Sequence, residues 1–307
     1  MKKNFLSSNP KVLIIIPNWN GKIFLEDCLN SLNRIVYDNF DILLIDNGST
    51  DDSINFVQQN YTEVKIIRSA NNQGFAGACN KGIRAALASG YNFALLLNND
   101  TAVDKYFLEE MVKACQADEK IGIIGSKIYY FDEPTKIWFD GAKYVWWRSS
   151  WKFYNWQKNE IANKKKLIDS DFVAGCSMMI KLEVVIDIGL LYDDYFLTYE
   201  DNDFCFRAKK KNWKIKICSS SKVWHKVSGS RLGEFSFSNG YYGTRNRLHF
   251  ALCRSNNYLG GLFIIFFVVP LRLVQWFFAG KKEMSKGLII GVVDFFKGKL
   301  GEFKKEI

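Results

Sequence analysis

Short apolar runs alternate with amphipathic segments over residues 11–126, and this alternation constrains the fold of the 307-residue chain more than any other feature. Continuous apolar runs of roughly four to eight residues are typical of strands that are buried on both faces. The predicted strands are residues 11–16, 40–46, 64–68, 93–97 and 121–126. Helical patterns cover residues 22–32, about 49–59, 74–89 and 104–118. The alternation predicts an α/β fold with a largely parallel sheet.

The second half of the chain has a looser pattern. Residues 127–169 are rich in aromatic side chains and lysines, with five tryptophans in nineteen positions: Trp138, Trp146, Trp147, Trp151 and Trp156. Further on, we predict helices at 182–188 and 201–211 and a strand at 213–218. These elements extend the α/β domain.

Asparagine and aspartate residues recur where the predicted strands end or soon after. They are Asn18, Asp46, Asn72, Asn98, Asn99 and Asp100, and Pro17 and Gly74 lie in the same segments. In an open parallel sheet ligands bind at the carboxyl ends of the strands, so we expect these residues to line one crevice. Each segment alone fits an ordinary turn or helix start, with Ser49 and Asp52 resembling a capping box, but their recurrence favours a binding site.

The chemistry of these residues suits a nucleotide and a hard cation. The carboxylate of Asp46 can accept a hydrogen bond from a base or a ribose hydroxyl. The oxygens of Asn99 and Asp100 suit Mg²⁺ or Mn²⁺, which takes few protein carboxylates and completes its shell with phosphate oxygens and water. The chain has neither a GxGxxG turn nor a GxxxxGK[ST] run, so dinucleotide-binding and P-loop interpretations lack their defining residues.

A second cluster of polar residues is acidic. Glu200, Asp201 and Asp203 occupy three of four successive positions. Such crowding can raise the pKa of one carboxylate and suit it to proton abstraction, but an acidic first turn is also a common helix start, and spacing alone leaves both interpretations open. His225 follows a predicted strand, where it is either a packed or surface residue or part of a metal shell.

Charge is distributed unevenly along the chain. Residues 1–203 carry 22 basic and 27 acidic side chains, whereas residues 204–307 carry 20 and 5. The basic part contains an apolar run, Tyr258–Phe278, whose uncharged portion ends at Leu271. That portion is shorter than a spanning helix and contains Pro270, so we expect an interfacial or re-entrant helix with flanking lysines and arginines at lipid headgroups. A core helix docked on the main domain is the alternative.

The cysteines and the N-terminal segment indicate the cellular compartment of the protein. Seven cysteines are scattered without a CxxC pair, and the odd number argues against a closed disulfide framework. The first residues, MKKNFLSSNPK, lack the apolar stretch of a secretory signal. We therefore expect a cytoplasmic protein, peripheral at the inner face of the cell membrane.

Seven segments together resemble a known family. They are IIIPNWNG (14–21), LLIDNGSTDDS (43–53), NNQGFAGACNKGI (71–83), LLLNNDT (95–101), FVAGCSMMIK (172–181), YFLTYEDNDFCFR (195–207) and YYGTRNRL (241–248). In this order and spacing, over residues 11–250, the chain resembles family 2 glycosyltransferases with the GT-A fold. Within that family it is similar to the rhamnosyltransferase-like enzymes of bacterial surface polysaccharide assembly. The resemblance implies a Rossmann-like mixed sheet flanked by helices.

The resemblance also implies roles for individual residues. The nucleotide-binding positions would be Pro17, Asn18, Asp46, Asn72, Gly74, Asn98 and Asn99. Asp100 would be the metal ligand of the family's DXD motif, and His225 would help to hold the metal or the diphosphate. The sequence departs from that motif in having Asn98 as its first residue, which lowers the negative charge at the metal. Asp201 matches the catalytic base and Glu200 a supporting acid.

The implied reaction is an inverting, metal-dependent transfer from a nucleotide diphosphate sugar to a lipid-linked glycan. The favoured donor is dTDP-rhamnose, and a UDP-sugar is the alternative. Asp201 would remove a proton from the acceptor hydroxyl as it attacks the anomeric carbon. Gly175 and Cys176 would lie on the acceptor side. The tryptophans would either stack on sugar rings or fill a subdomain core. We expect a catalytic domain at 1–235 and a membrane-association segment at 236–307, and leave open a homo-oligomer.

Three other functions fit the sequence less well. A sugar nucleotidyltransferase would need a basic, glycine-rich loop after the first strand, and PNWNGKIF offers only Lys22. A non-catalytic nucleotide-sugar-binding membrane protein would not need to retain Asp100, Glu200, Asp201 and His225 together. Nucleic-acid binding is disfavoured because the basic tail is too apolar for a surface that follows phosphates.

Overall fold

A ten-stranded mixed sheet with helices on both sides forms the centre of the protein. The computed structural model describes residues 9–160, 166–227 and 236–304. The strands are β1 Val12–Asn18, β2 Phe40–Asp46, β3 Lys65–Arg68, β4 Phe93–Leu97, β5 Thr101–Val103, β6 Ile121–Tyr130, β7 Ile137–Phe139, β8 Ala142–Val145, β9 Ser150–Phe153, β10 Leu167–Asp169, β11 Ser177–Lys181 and β12 Lys214–His225. The helices are α1 Lys22–Leu32, α2 Ser53–Asn60, α3 Gly74–Ala88, α4 Phe107–Ala117, α5 Leu182–Ile188, α6 Glu200–Lys210, α7 Phe237–His249, α8 Tyr258–Phe263, α9 Val269–Phe278 and α10 Lys282–Phe296.

The N-terminal half of the sheet is parallel. Strand β1 pairs with β2 on one side and with β4 on the other, and β3 continues the sheet beside β2. The apolar residues of β1 and β4 are almost completely buried because helices cover both faces. The parallel pairing predicted from the apolar runs is confirmed, and the carboxyl ends of these strands meet at one edge.

The other half of the sheet is largely antiparallel, which makes the sheet mixed. Strand β11 lies between β4 and β6 and runs antiparallel to both, giving the order β10–β12–β6–β11–β4–β1–β2–β3. Strand β12 runs parallel to β6 with a shift in register after Cys218. It continues to His225, seven residues beyond the predicted end, because its second part also pairs with β5.

The start of α2 differs from the prediction. The helix begins at Ser53, not near Ser49, and Asp52 makes no side-chain cap. Instead, the side-chain oxygen of Asn20 accepts hydrogen bonds from the backbone N–H groups of Thr50 and Asp51. The Ser49 hydroxyl is drawn to the first strand end, where it accepts from the backbone N–H of Asn20. Tertiary contacts thus replace the predicted capping box.

The aromatic region forms a small hairpin of β8 and β9 that packs against the C-terminal helices. Trp151 contacts Phe250, and Trp147 contacts Phe263. Trp146, Trp147 and Trp156 are about half exposed. The hairpin therefore links the central sheet to the C-terminal segment.

The C-terminal segment is a set of packed helices. Helices α7 and α10 approach so closely that a Cβ on Gly287 would lie 2.2 Å from the carbonyl oxygen of Phe237. The side chain of Arg245 in α7 is fully buried and donates to the carbonyl of Gly301. The predicted domain boundary at residue 235 falls within residues 228–235, outside the described part of the chain.

The apolar run forms one continuous 21-residue helix, Tyr258–Phe278. A π-helical turn at Ile264–Val268 precedes Pro270, whose nitrogen has no hydrogen to donate, and the helix continues beyond the proline. Its most apolar stretch has a mean hydropathy of 2.0 and is only 11% buried. At roughly 30 Å long, this helix could cross a membrane by length and composition, or lie along one.

Candidate active site

The first part of the site is a pocket of about 430 Å³ at the carboxyl ends of the parallel strands. Of the predicted residues, its lining includes Pro17, Asn18, Asn72, Gly74, Asn98, Asn99 and Asp100. The side-chain amide of Asn99 donates to Oδ1 of Asn18 at 2.7 Å, which ties two strand ends together. The expected crevice is present, and we call it the donor pocket.

The Asn72–Gly74 segment is held against the second strand end. Asn47 donates to Oδ1 of Asn72 at 2.8 Å and accepts from the backbone N–H of Gln73. Gly74 has φ of +72°, and a Cβ there would lie 2.2 Å from the carbonyl oxygen of Phe196. Glycine is therefore required at this position by backbone conformation and by space.

Asp46 is not part of the lining of the donor pocket. The side chain is buried, and Oδ1 accepts from the backbone N–H of Ser49 at 3.1 Å. Arg68 lies 3.7 Å from the other carboxylate oxygen. In this geometry Asp46 orders the loop after β2, and its contact with a base or ribose stays a prediction.

Asp100 and His225 meet although 125 positions separate them in the sequence. The pairing of β12 with β5 sets His225 opposite Thr101, and the backbone N–H of Lys226 donates to the carbonyl of Asp100. Nε2 of His225 lies 3.0 Å from Oδ1 of Asp100. Within the described residues, this Oδ1 and Nδ1 of His225 are buried without a hydrogen-bond partner.

That pair suits a divalent cation with few protein ligands. Although Nε2 of His225 faces it, the buried Oδ1 of Asp100 accepts no hydrogen bond from the described residues, and a cation would satisfy it. No group of three or more histidine, cysteine, aspartate or glutamate side chains that could hold a metal occurs in residues 9–160, 166–227 and 236–304. The remaining ligands of Mg²⁺ or Mn²⁺ would be phosphate oxygens and water.

The second part of the site is a cleft of about 690 Å³ that contains Glu200 and Asp201 at the start of α6. It adjoins the donor pocket, since Phe75, Asn98 and Leu197 line both cavities. His225 and the tryptophans Trp138, Trp151 and Trp156 also line the cleft. The two cavities thus place a carboxylate pair next to a polar pocket, as an acceptor and a donor site would require.

The two carboxylates have different surroundings. Oδ2 of Asp201 accepts from the backbone N–H of Gly175 at 3.0 Å, and Oδ1 accepts from the backbone and side-chain N–H groups of Asn202. Oε2 of Glu200 is buried without a partner among the described residues. Burial and the charge of Asp201 raise the pKa of Glu200 to about 8. Burial also raises the pKa of Asp201, but its N–H donors oppose this.

The loop before α6 is strained and is held by residues of α7. Phe196, Thr198 and Tyr199 all have positive φ, between 61° and 76°. The side-chain amide of Asn246 donates to the carbonyls of Tyr195, Leu197 and Thr198. Such conformations cost on the order of 1–3 kcal/mol each and persist only where surrounding contacts impose them.

Several residues of the site were missed in the sequence analysis. Tyr242, Glu302 and Phe303 line the donor pocket, and Arg245 supports the same loop as Asn246 by donating to the carbonyl of Tyr195. The motif YYGTRNRL contains Tyr242, Arg245 and Asn246 and was the available signal. No local pattern marked Glu302 or Phe303, which reach the pocket because the chain after α10 returns to the sheet.

Comparison with known proteins identifies the family. Residues 13–189, more than half of the chain, match the family model described as glycosyl transferase family 2. The chain belongs to this family. The match begins in the first strand and ends beyond β11, so it includes the donor pocket's strand ends but not α6 or His225.

Curated relatives of this family 2 chain are similar at low identity. The dTDP-rhamnosyl transferase RfbF of Shigella flexneri is 22% identical over 95% of this chain and 98% of that protein. The hexosyltransferase Agl10 of Haloferax volcanii is 26% identical over 69% of this chain and 66% of its own. The glycosyltransferase GlyG of Streptococcus pneumoniae is 27% identical over 42% of each.

Solved structures support the fold. A crystal structure of GalNAc-T7 with UDP, GalNAc and Mn²⁺ superposes with a TM-score of 0.60 at 15% identity, covering 84% of this chain and 54% of that one. Staphylococcus aureus TarS, residues 1–349, gives a TM-score of 0.58 at 16% identity, covering 94% and 81%. With the mixed sheet, these likenesses confirm the predicted GT-A fold.

Proposed function

We propose that this family 2 chain is an inverting glycosyltransferase that moves a sugar from a nucleotide diphosphate donor to a hydroxyl of a glycan acceptor. The observation that carries the proposal is the carboxylate pair of Glu200 and Asp201 in a cleft that shares residues with the polar donor pocket. Family membership supports glycosyl transfer, and the structure of GalNAc-T7 with UDP supports a nucleotide-sugar donor.

Asp201 is assigned as the base. Two like charges in one buried site cannot both ionise easily, so one carboxyl group retains its proton. Glu200, with a pKa of about 8 and no donor to Oε2 among the described residues, is the protonated member at neutral pH. Asp201, with N–H donors from Gly175 and Asn202, is the ionised member.

The proposed step is a single displacement. Asp201 takes the proton of the acceptor hydroxyl while that oxygen bonds to the anomeric carbon. The bond from this carbon to the diphosphate oxygen breaks at the same time, so the configuration inverts. Glu200 stays protonated beside the base and therefore adds no negative charge that would raise the pKa of Asp201 further.

Asp100 and His225 are proposed to hold Mg²⁺ or Mn²⁺. Their facing atoms, 3.0 Å apart, support this role, as does the buried Oδ1 of Asp100, which accepts no hydrogen bond from the described part of the chain. A bound cation would supply positive charge next to the leaving diphosphate. The GalNAc-T7 structure, which contains Mn²⁺, also supports it. Asn98 and Asn99 line the same pocket and add neutral side chains there.

The favoured donor is dTDP-rhamnose, and the favoured acceptor is a lipid-linked glycan in the synthesis of a cell-surface polysaccharide. The likeness to the dTDP-rhamnosyl transferase RfbF over almost the whole chain supports the donor. The exposed apolar helix Tyr258–Phe278 supports an acceptor at a membrane. We propose that the protein acts at the inner face of the cell membrane, as a peripheral protein.

The test is release of free nucleoside diphosphate from a panel of nucleotide sugars with Mg²⁺ or Mn²⁺ and membrane lipid extract as the source of acceptor. We expect release from one donor, dTDP-rhamnose, by the wild type. Asp201→Asn removes the base and should lower the rate by roughly 10²- to 10⁴-fold. Release that is equal in the variant, or absent for every donor, would contradict the proposal.

A further inference from the structure

A groove lies between the hairpin β8–β9 and the apolar helix Tyr258–Phe278. It has a volume of about 670 Å³ and is lined by four cationic side chains: Arg148, Lys152, Arg247 and Arg272. Phe263, Phe267 and Leu271 of the apolar helix form its other wall. We call it the cationic groove. Neither aspartate nor glutamate lines it within the described residues.

The cations of this groove have no carboxylate partners in the described part of the chain. Among described residues, none of the four takes part in an ion pair with aspartate or glutamate. Arg247 is held in place by hydrogen bonds from its guanidinium to the carbonyls of Ser149 and Arg148. Arg272 lies over the ring of Trp276. Four like charges around one groove repel one another, and an anion in the groove would relieve that repulsion.

The groove is continuous with the catalytic cleft. Arg247, Arg272 and Trp151 line both, and Asp201 lies in the cleft. In the other direction the groove meets apolar surface that water would otherwise cover, including Phe266 and Phe267, which are 66% and 63% exposed. A molecule that extends from the cleft through the cationic groove to the apolar helix needs three parts in this order: a hydroxyl-bearing head, an anionic centre and an apolar chain.

We propose that the cationic groove binds the diphosphate of the lipid-linked acceptor, with its sugar in the cleft beside Asp201 and its hydrocarbon chain along the helix Tyr258–Phe278. This inference rests on the proposed function and assigns the acceptor's binding site. A diphosphate between sugar and lipid carries about two negative charges, which complement the four cations. Arginine suits this role because its planar group binds two phosphate oxygens at once.

The test measures binding in the absence of any donor. Full-length protein is titrated with phosphatidylcholine vesicles that contain a polyprenyl diphosphate, an uncharged polyprenol or phosphatidylserine at the same mole fraction, and bound protein is measured by sedimentation. We expect the tightest binding to the polyprenyl diphosphate. The double variant Lys152→Gln/Arg272→Gln should lose roughly tenfold or more of that affinity, because charge-assisted contacts to phosphate are lost.

A matched control separates the groove from general attraction to an anionic surface. Lys282 and Lys286 are exposed on α10, outside the groove, so Lys282→Gln/Lys286→Gln removes the same charge. We expect this control variant to keep the preference for the diphosphate lipid. Equal losses of affinity in the two double variants would overturn the proposal. Equal binding of the wild type to phosphatidylserine and to the diphosphate lipid would also overturn it.

A second arm distinguishes a lipid headgroup from a soluble phosphate compound. Inorganic diphosphate is titrated into the same variants by calorimetry without vesicles. If it binds the groove as tightly as the lipid does, the apolar wall contributes nothing and the lipid assignment is overturned. Because neither arm requires sugar transfer, failure of the proposed catalytic function would leave both results unchanged.

Discussion

At the scale of single residues, the site depends on groups whose ordinary properties are altered by burial. Glu200 is the clearest example, since the residue is 5% exposed and its pKa is raised to about 8 by burial and by the charge of Asp201. Asp201 is the next residue in the chain, but its carboxylate accepts hydrogen bonds from three N–H groups. This difference in hydrogen bonding is the reason we propose Asp201 as the base and Glu200 as its protonated neighbour.

Glu200→Gln should change how stability depends on pH. From the ordinary carboxyl pKa of 4.5 up to about 8, the unfolded chain has lost this proton while the folded protein keeps it. Stability of the wild type from this group therefore falls as pH rises through that window. Glutamine cannot ionise. The unfolding temperature of the variant should therefore rise relative to that of the wild type at the upper end of this pH range. Thermal unfolding of the wild type and the variant at the lower and upper ends of this pH range measures the effect. The same difference in unfolding temperature at both pH values would contradict the prediction.

At the scale of elements, the contact between α7 and α10 holds the site together. Helix α7 contains Arg245 and Asn246, which bind the carbonyls of the strained loop 196–199 and of the tyrosine before it, and the chain after α10 adds Phe303 to the donor pocket. Small residues permit this contact. A Cβ on Gly287 would lie 2.2 Å from the carbonyl oxygen of Phe237, which cannot move independently of its helix.

Alanine at Gly287 should therefore destabilise the protein despite its better helix propensity. We expect a loss of about 1–3 kcal/mol, because the added methyl group forces the two helices apart. The matched control is Gly243→Ala in α7, where a Cβ would meet nothing within 4 Å. This control should gain up to about 1 kcal/mol from propensity. Urea unfolding of both variants gives the comparison, and a Gly287→Ala variant as stable as Gly243→Ala would refute the close contact.

At the scale of the whole molecule, the apolar helix and the active site belong to one surface arrangement. The side chains of Phe266, Phe277 and Phe278 are between 66% and 83% exposed, which is unusual for a surface in contact with water. Asp203 in α6 is buried and accepts from Arg254, which lies shortly before the apolar helix. The helix that contains the proposed catalytic pair, Glu200 and Asp201, is thus attached to the C-terminal segment that we propose faces the membrane.

Membrane association should depend on the exposed aromatic face. Phe266→Glu/Phe277→Glu places two charges on it and should weaken sedimentation with phosphatidylcholine vesicles by roughly tenfold or more. Ile186→Glu is the control, since Ile186 in α5 is 76% exposed and lies outside the C-terminal helices. Unaltered sedimentation of the double variant would show that this face does not contact the membrane.

The sequence by itself determined the parallel half of the sheet, its helices and the polar strand ends. Buried strands need continuous apolar runs, as in residues 11–16 and 93–97, and parallel strands bring their carboxyl ends to one edge, so the chain's own pattern is enough to group Asn18, Asn72 and Asn99. The acidic cluster and the seven motifs also indicated Glu200 and Asp201. These features depend on residues that are close together in the sequence, so a single sequence is enough to predict them.

Only the tertiary structure decided which distant segments meet. The antiparallel insertion of β11, the extension of β12 that brings His225 to Asp100, and the return of Phe303 to the donor pocket all depend on pairing between segments far apart in the chain. The replaced capping box at Ser49 has the same origin, because Asn20 competes for the same backbone groups. Local propensity carries no information about such partners, and their contacts arise only when the whole core packs.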